Sequence, residues 1–234
     1  MLSQLTQDFQ SLADSQQAQQ LQRFFKTGKG QYGEGDIFLG IKVPEQRKIA
    51  KKYSSLSLKE IQELLNSKIH EYRLTGLIIL TNQYKKSKKD KFKQRQIFEL
   101  YLKNTQNINN WDLVDLSAPI IVGDFAQKEG TEILKQLAKS DSLWEKRIAI
   151  ISTLPLIKKR NFGETLTISE MLIKDDHDLI HKAVGWMLRE VGKRNQEVLE
   201  IFLSTHYKEM PRTMLRYSIE KFPEEKRKKW MEKK

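Results

Sequence analysis

Asn109-Asn110-Trp111-Asp112-Leu113-Val114-Asp115-Leu116 is a polar turn that runs into an acidic, apolar segment. The asparagines supply a helix start, with Trp111 in the first turns. In such a helix Trp111 and Asp115 lie four apart, one turn up the same face. An indole π-face and a carboxylate both favour positive charge, so this face is either an ordinary helix surface or half of a site that grips something cationic. Two later stretches extend the pattern. In Asp141-Ser142-Leu143-Trp144-Glu145-Lys146-Arg147 the cation Arg147 comes 36 residues after Trp111. In Lys182-Ala183-Val184-Gly185-Trp186-Met187-Leu188-Arg189-Glu190 a second tryptophan, Trp186, comes 39 residues after Arg147. A repeating helical chain brings such recurrences to one surface.

The rest of the chain agrees with a helical repeat. Apolar residues at helix-like spacing (Leu2, Leu5, Phe9, Leu12, Leu21, Phe24, Phe25) predict helix over residues 2–26. Pro44 suits the first turn of a helix through Tyr53, and Ser57 with Glu60 reads as a capping box. His70 to Leu80 is too apolar to lie on a surface. Phe92, Ile97, Phe98, Leu100, Tyr101 and Leu102 are the apolar members of a helix from Asp90 to about Asn104. Pro119 and Pro155 are expected to break helices, and further helices are predicted near 131–139, 142–153, 163–172, 176–192, 195–206 and 211–221. No strand alternation persists, so the fold class is all-α. Arg73-Leu74-Thr75-Gly76-Leu77, Arg147-Ile148-Ala149-Ile150-Ile151 and Lys182-Ala183-Val184-Gly185-Trp186 each place a cation before a small-residue apolar helix. The first two are 74 residues apart and the third lies 35 further on. The unit of roughly 37 is close to the low end of the HEAT-like range. The expectation is one HEAT-like domain over 1–234, its helix pairs stacked into a curved superhelical solenoid with a basic concave face.

Two segments interrupt the pattern. Residues 28–40 are glycine-rich, and Lys29 to Asp36 resembles a phosphate cradle. No strand precedes it and no G-K-[ST] ending follows, so nucleotide binding is rejected. A tight loop needing positive φ is favoured over a loop whose amides and Tyr32 approach a phosphate backbone. The tail from about 225 to 234 reads as a frayed basic helix.

A net charge of +12 points to a polyanionic partner, nucleic acid or an anionic membrane surface, more than to merely soluble lysine-rich helices. Lysines 85–93 are read as a solvated turn rather than a phosphate contact. The absence of cysteine excludes thiolate chemistry and Cys-ligated zinc. His177 and His181 have the spacing of a metal pair without a third ligand, so a solvated pair is favoured and no metal is expected. With neither a signal-like start nor a spanning apolar run, the expected location is cytoplasmic, without membrane contact. A monomer is the default.

W-D-x-V-D, W-x-x-R-x-A and K-A-x-G-W-x-L-R-E, in this order and spacing, resemble the AlkD family of HEAT-like-repeat DNA glycosylases, from about Phe38 to the Arg216 region. The resemblance implies excision of N3- and N7-alkylated purines from duplex DNA, with the lesion left stacked rather than flipped and the protein associated with the nucleoid. By it, Trp111, Asp115 and Trp186 match positions that contact the lesion nucleotide, and Arg147 matches one that holds the DNA backbone. The glycine-rich segment 28–40 and Pro155 depart from the family pattern, so no site residue is carried over from 150–160.

The implied chemistry is consistent with these residue types. A purine alkylated at N3 or N7 is already cationic and leaves neutral, so a general acid is dispensable. Charge then develops on the sugar, as in glycoside hydrolysis. Asp115 would stabilise that charge and orient or deprotonate water, and the faces of Trp111 and Trp186 would attract the cationic deoxyribose. Arg147, helped by Arg189, would fix a phosphate. No cofactor is called for. Trp144 is assigned to the core, Asp112 to the helix macrodipole and Glu190 to a nearby Lys or Arg. The competing readings are a non-catalytic binder of damaged, bent or branched DNA and a protein–protein scaffold, for which +12 would be unexpected.

Overall fold

The computed structural model describes residues Met1–Glu232. They are helical apart from turns, and their one β pairing is an isolated parallel bridge between Ile37 and Ile69. Contacts divide the chain into two units, Met1–Ile121 and Val122–Lys234.

The first unit holds α1 (Leu2–Ser11), α2 (Ser15–Phe24), α3 (Val43–Lys52), α4 (Leu58–Leu65), α5 (His70–Lys86), α6 (Lys91–Lys103) and α7 (Trp111–Ala118). The single helix predicted over 2–26 is two, because the Asp14 carboxylate accepts from Gln17 N at 3.0 Å and starts α2 afresh. Pro44 does sit in the first turn of α3, and Ser57 and Glu60 form the expected reciprocal cap of α4. The centre of the unit is α5, which packs on α3, α4, α6 and α7 and is buried from His70 to Thr81. Each fully buried Leu or Ile there, such as Leu77 and Ile79, contributes about 1.5–3 kcal/mol relative to exposure. Phe92, expected to face the core from α6, is 72% exposed; Ile97, Phe98 and Tyr101 fill that face instead.

Glu71 explains the glycine-rich segment. Its carboxylate is fully buried and accepts from the amides of Leu39, Gly40 and Ile41 at 2.9–3.2 Å, folding that loop onto α5. Gly30, Gly35 and Gly40 have φ of +76°, +87° and +86°. At Gly40 the chain also passes so close to α2 that a Cβ would lie 2.0 Å from Asp14 O.

A π-helical turn, Pro119–Gly123, follows α7. Pro119 therefore does not end the helical path; lacking an N–H it loosens the ladder into a wider turn. The second unit holds α8 (Asp124–Glu129), α9 (Glu132–Ala138), α10 (Leu143–Ile151), α11 (Leu154–Lys158), α12 (Gly163–Met171), α13 (Asp178–Gly192), α14 (Gln196–His206), α15 (Arg212–Ser218) and α16 (Glu224–Glu232). Pro155, expected as a break, lies in the first turn of α11, where its missing donor costs nothing. The central helix is α13, packed on α10, α12, α14 and α15. Residues 233 and 234 of the basic tail lie outside the described residues. The rest is a docked helix rather than a frayed one: Trp230 is buried edge-on to Tyr207 at 5.8 Å, and Lys226 pairs with Glu200.

Candidate functional site

Asn110 caps α7, its side chain accepting from Trp111 N at 2.9 Å. Leu113, Val114, Ser117 and Ala118 are buried, and Ser117 Oγ donates to Leu113 O while lying 3.0 Å from the Tyr101 hydroxyl. The core face so fixed leaves Trp111, Asp112, Asp115 and Leu116 on the wall of an open cleft of about 420 Å³ within the first unit. Ile78, Thr81 and Asn82 of α5 line it as well, and Arg47 and Lys85 add two cations. The structure thus brings Trp111 and Asp115 together as the helical spacing requires. Burial pushes the Tyr101 phenol far up, and the Asp115 charge adds to that, so the hydroxyl beneath α7 stays protonated.

Trp111 is also tied into an aromatic stack. It lies on Phe25 (centroids 5.4 Å, 21°) and meets Phe24 edge-on at 5.9 Å. Phe25 and Phe38 stack at 5.1 Å, and both cover the His70 ring, at 5.0 and 4.6 Å. His70 bridges two carboxylates: Nδ1 is 3.1 Å from Asp36 Oδ2, and Nε2 is 2.9 Å from Asp112 Oδ2. Arg73 closes the network, with Nη2 2.7 Å from Asp36 Oδ1 and Nη1 donating to Ser67 O at 2.8 Å. Burial alone would lower the His70 pKa, but the Asp112 charge and the hydrogen bonds to Asp112 and Asp36 outweigh it and take it up to about 9. Burial likewise works against the Asp36 charge, and His70 and Arg73 hold that carboxyl below its ordinary value nonetheless.

Sequence reasoning missed this network. It left His70 among scattered histidines and gave Asp112 to the macrodipole alone; Asp112 Oδ1 does accept from Leu113 N at 2.9 Å, but Oδ2 serves His70. Partners 34 and 42 residues from His70 leave no local periodicity to detect.

The other predicted residues lie in the second unit. Arg147, on α10, is only 5% exposed, and its Nη1 donates to Leu179 O of α13 at 2.6 Å. Trp186 and Arg189 lie three apart on α13, both half-buried. Arg189 is ion-paired with Glu220. Gly185 sets the seat of Trp186, because α13 crosses α15 so closely that a Cβ there would be 2.5 Å from Tyr217 Cβ. Two of the three recurring cations, Arg73 and Arg147, thus turn inward, whereas Lys182 pairs with Asp178 on its own helix. Trp144 is buried, and Glu190 pairs with Lys193 and Arg194. His177 caps α13 at Leu179 N and His181 binds Asp175 O, so each has a structural partner. Among the described residues no cluster of three or more His, Cys, Asp or Glu could hold a metal ion, and no helix is long and apolar enough to cross a membrane.

Residues 5–222 match the family model described as DNA alkylation repair enzyme. Among solved structures, a predicted DNA alkylation repair enzyme from Enterococcus faecalis superposes with a TM-score of 0.71 at 16% identity, over 91% of this chain and 97% of that one. AlkD2 from Streptococcus mutans superposes with a TM-score of 0.55 at 19% identity, over 89% and 98%. These likenesses are of fold. No curated protein matches the chain.

Proposed function

We propose that this chain, which belongs to the DNA alkylation repair enzyme family, is a monofunctional glycosylase that removes N3- and N7-alkylated purines from duplex DNA. The observation that carries the reading is the cleft of the first unit, where the Asp115 carboxylate and the Trp111 indole share one wall beside Arg47 and Lys85. In the proposed reaction the C1′–N bond breaks and its electron pair leaves with the base, which the alkyl group had made cationic and which departs neutral. Water adds to C1′ and gives up its proton towards Asp115, leaving an abasic site. Asp115 opposes the positive charge that grows on the sugar, and the faces of Trp111 and Trp186 attract it more strongly as it grows. None of these steps needs the base to leave the stack, because the attacked atom belongs to the sugar.

Arg189 and Arg147 are the proposed grips on the backbone. Arg189 would exchange the Glu220 carboxylate for a phosphate. Arg147, held by Leu179 O, would act through the small part of its guanidinium that reaches the surface. The test is single-turnover release of 7-methylguanine by wild type and by Asp115→Asn, with duplex affinity measured beside it. The expected result is release by wild type and a loss of at least about a hundredfold in the variant at unchanged affinity. Equal release by both would remove Asp115 from the mechanism. Binding without release by wild type would make the chain a non-catalytic DNA binder.

A further inference from the structure

We infer that His70 is a positioning residue for this excision: its imidazolium, clamped between Asp36 and Asp112, fixes the first turn of α7 and with it the placement of Trp111 and Asp115. The inference rests on the reading proposed above. His70 lies outside the cleft lining, and its side chain is 2% exposed. It reaches α7 by two routes. One is the hydrogen bond from Nε2 to Asp112, and the other is the ring stack through Phe25 to Trp111. Asp112 and Trp111 are the first two residues of α7, so both routes end in the turn that carries the cleft wall.

The geometry sets the protonation state. Both ring nitrogens face carboxylate oxygens, which only accept, so both must carry hydrogen. The charged groups that face the ring are Asp36 from the loop before α3, Asp112 from α7 and Arg73 from its own helix. Phe25, at the end of α2, and Phe38, from the same loop as Asp36, cover its faces, and the neighbouring Glu71 is turned to the amides of Leu39, Gly40 and Ile41. Two anions and two cations balance. A neutral imidazole would present a lone pair to one of the two carboxylates and release it.

A buried ionic network gives little net stability over apolar packing of the same volume, so stability alone is weak grounds for its presence. What it provides here is a fixed direction for Asp112. That carboxylate lines the cleft, yet Leu113 N and the imidazolium occupy one oxygen each. Asp112 is therefore neutralised and held, and does not draw the cationic sugar away from Asp115.

The experiment compares wild type, His70→Gln and Asp112→Asn in single-turnover release of 7-methylguanine from pH 6 to 10, subtracting enzyme-free release at each pH. Duplex affinity, thermal melting and the ¹⁵N signals of His70 are followed alongside. Wild type is expected to lose rate as pH rises through about 9, with its two ring nitrogens both protonated below that pH. His70→Gln should melt cooperatively, bind duplex within twofold of wild type and release base at least tenfold more slowly. In Asp112→Asn a neutral ring can donate to Asp36 and accept from the new amide, so the alkaline limb should disappear. A His70→Gln rate within twofold of wild type would overturn the inference. So would an alkaline limb that persists in Asp112→Asn, or parallel losses of rate, affinity and cooperative melting in His70→Gln. If wild type releases no base the glycosylase reading fails by itself. The ¹⁵N signals still decide the clamp, and a His70 that is neutral at pH 8 would sink it.

Discussion

Asp112 and Asp115 stand three positions apart on one helix and line one cleft, and their surroundings give them different work. Asp112 is bound to an amide and to a buried imidazolium, whereas Asp115 faces the cleft one turn above Trp111. The His70 clamp also makes a prediction about folding. Its pKa is raised from an ordinary 6.5 to about 9, so the folded state holds a proton that the unfolded chain releases. The stability this confers is complete below pH 6.5 and is lost as pH rises through 9. The shift corresponds to on the order of 3 kcal/mol. Urea denaturation at several pH values should show that decline in wild type and a much flatter one in His70→Gln. At this scale the sequence displayed Trp111 and Asp115, because helix spacing alone puts them on one face. It hid Asp36, His70 and Arg73, which meet only when a loop, α5 and α7 are folded together.

Helices were legible where local chemistry decides them. The capping box at Ser57, Pro44 in a first turn and the apolar run after His70 each name their own conformation. Prolines were misread where their context is tertiary. Pro119 loosens a ladder that continues, and Pro155 opens a short helix after Thr153. The docking of α16 likewise turns on Trp230 meeting Tyr207, 23 positions earlier. The loop at Gly40 yields the prediction proper to this scale. A positive φ and a Cβ 2.0 Å from Asp14 O leave no room for a side chain, and backbone cannot yield as a flexible side chain can. Gly40→Ala should cost more than about 2 kcal/mol, measured by chemical denaturation, and should release the loop from Glu71. Gly130→Ala, also at positive φ but with nothing within 4 Å, should cost less.

For the whole molecule the +12 charge was readable from composition, and it fits a duplex DNA partner. Affinity for duplex should fall linearly with salt on log–log axes, and Arg189→Gln should make that slope shallower by about 1 if Arg189 takes a phosphate. A flat salt response would remove DNA as the partner. The division into two units was not legible, since no composition shift, linker or proline-rich stretch marks Ile121. The most direct test of the central claim is to incubate excess wild-type protein with a duplex carrying one 7-methylguanine, and separately with the same duplex carrying neutral hypoxanthine, and to quantify free base and abasic site. The account predicts first-order release of 7-methylguanine, matched one for one by abasic sites, with hypoxanthine at the enzyme-free background. Retention of both bases in a protein that still binds the duplex, or release of both at similar rates, would contradict it.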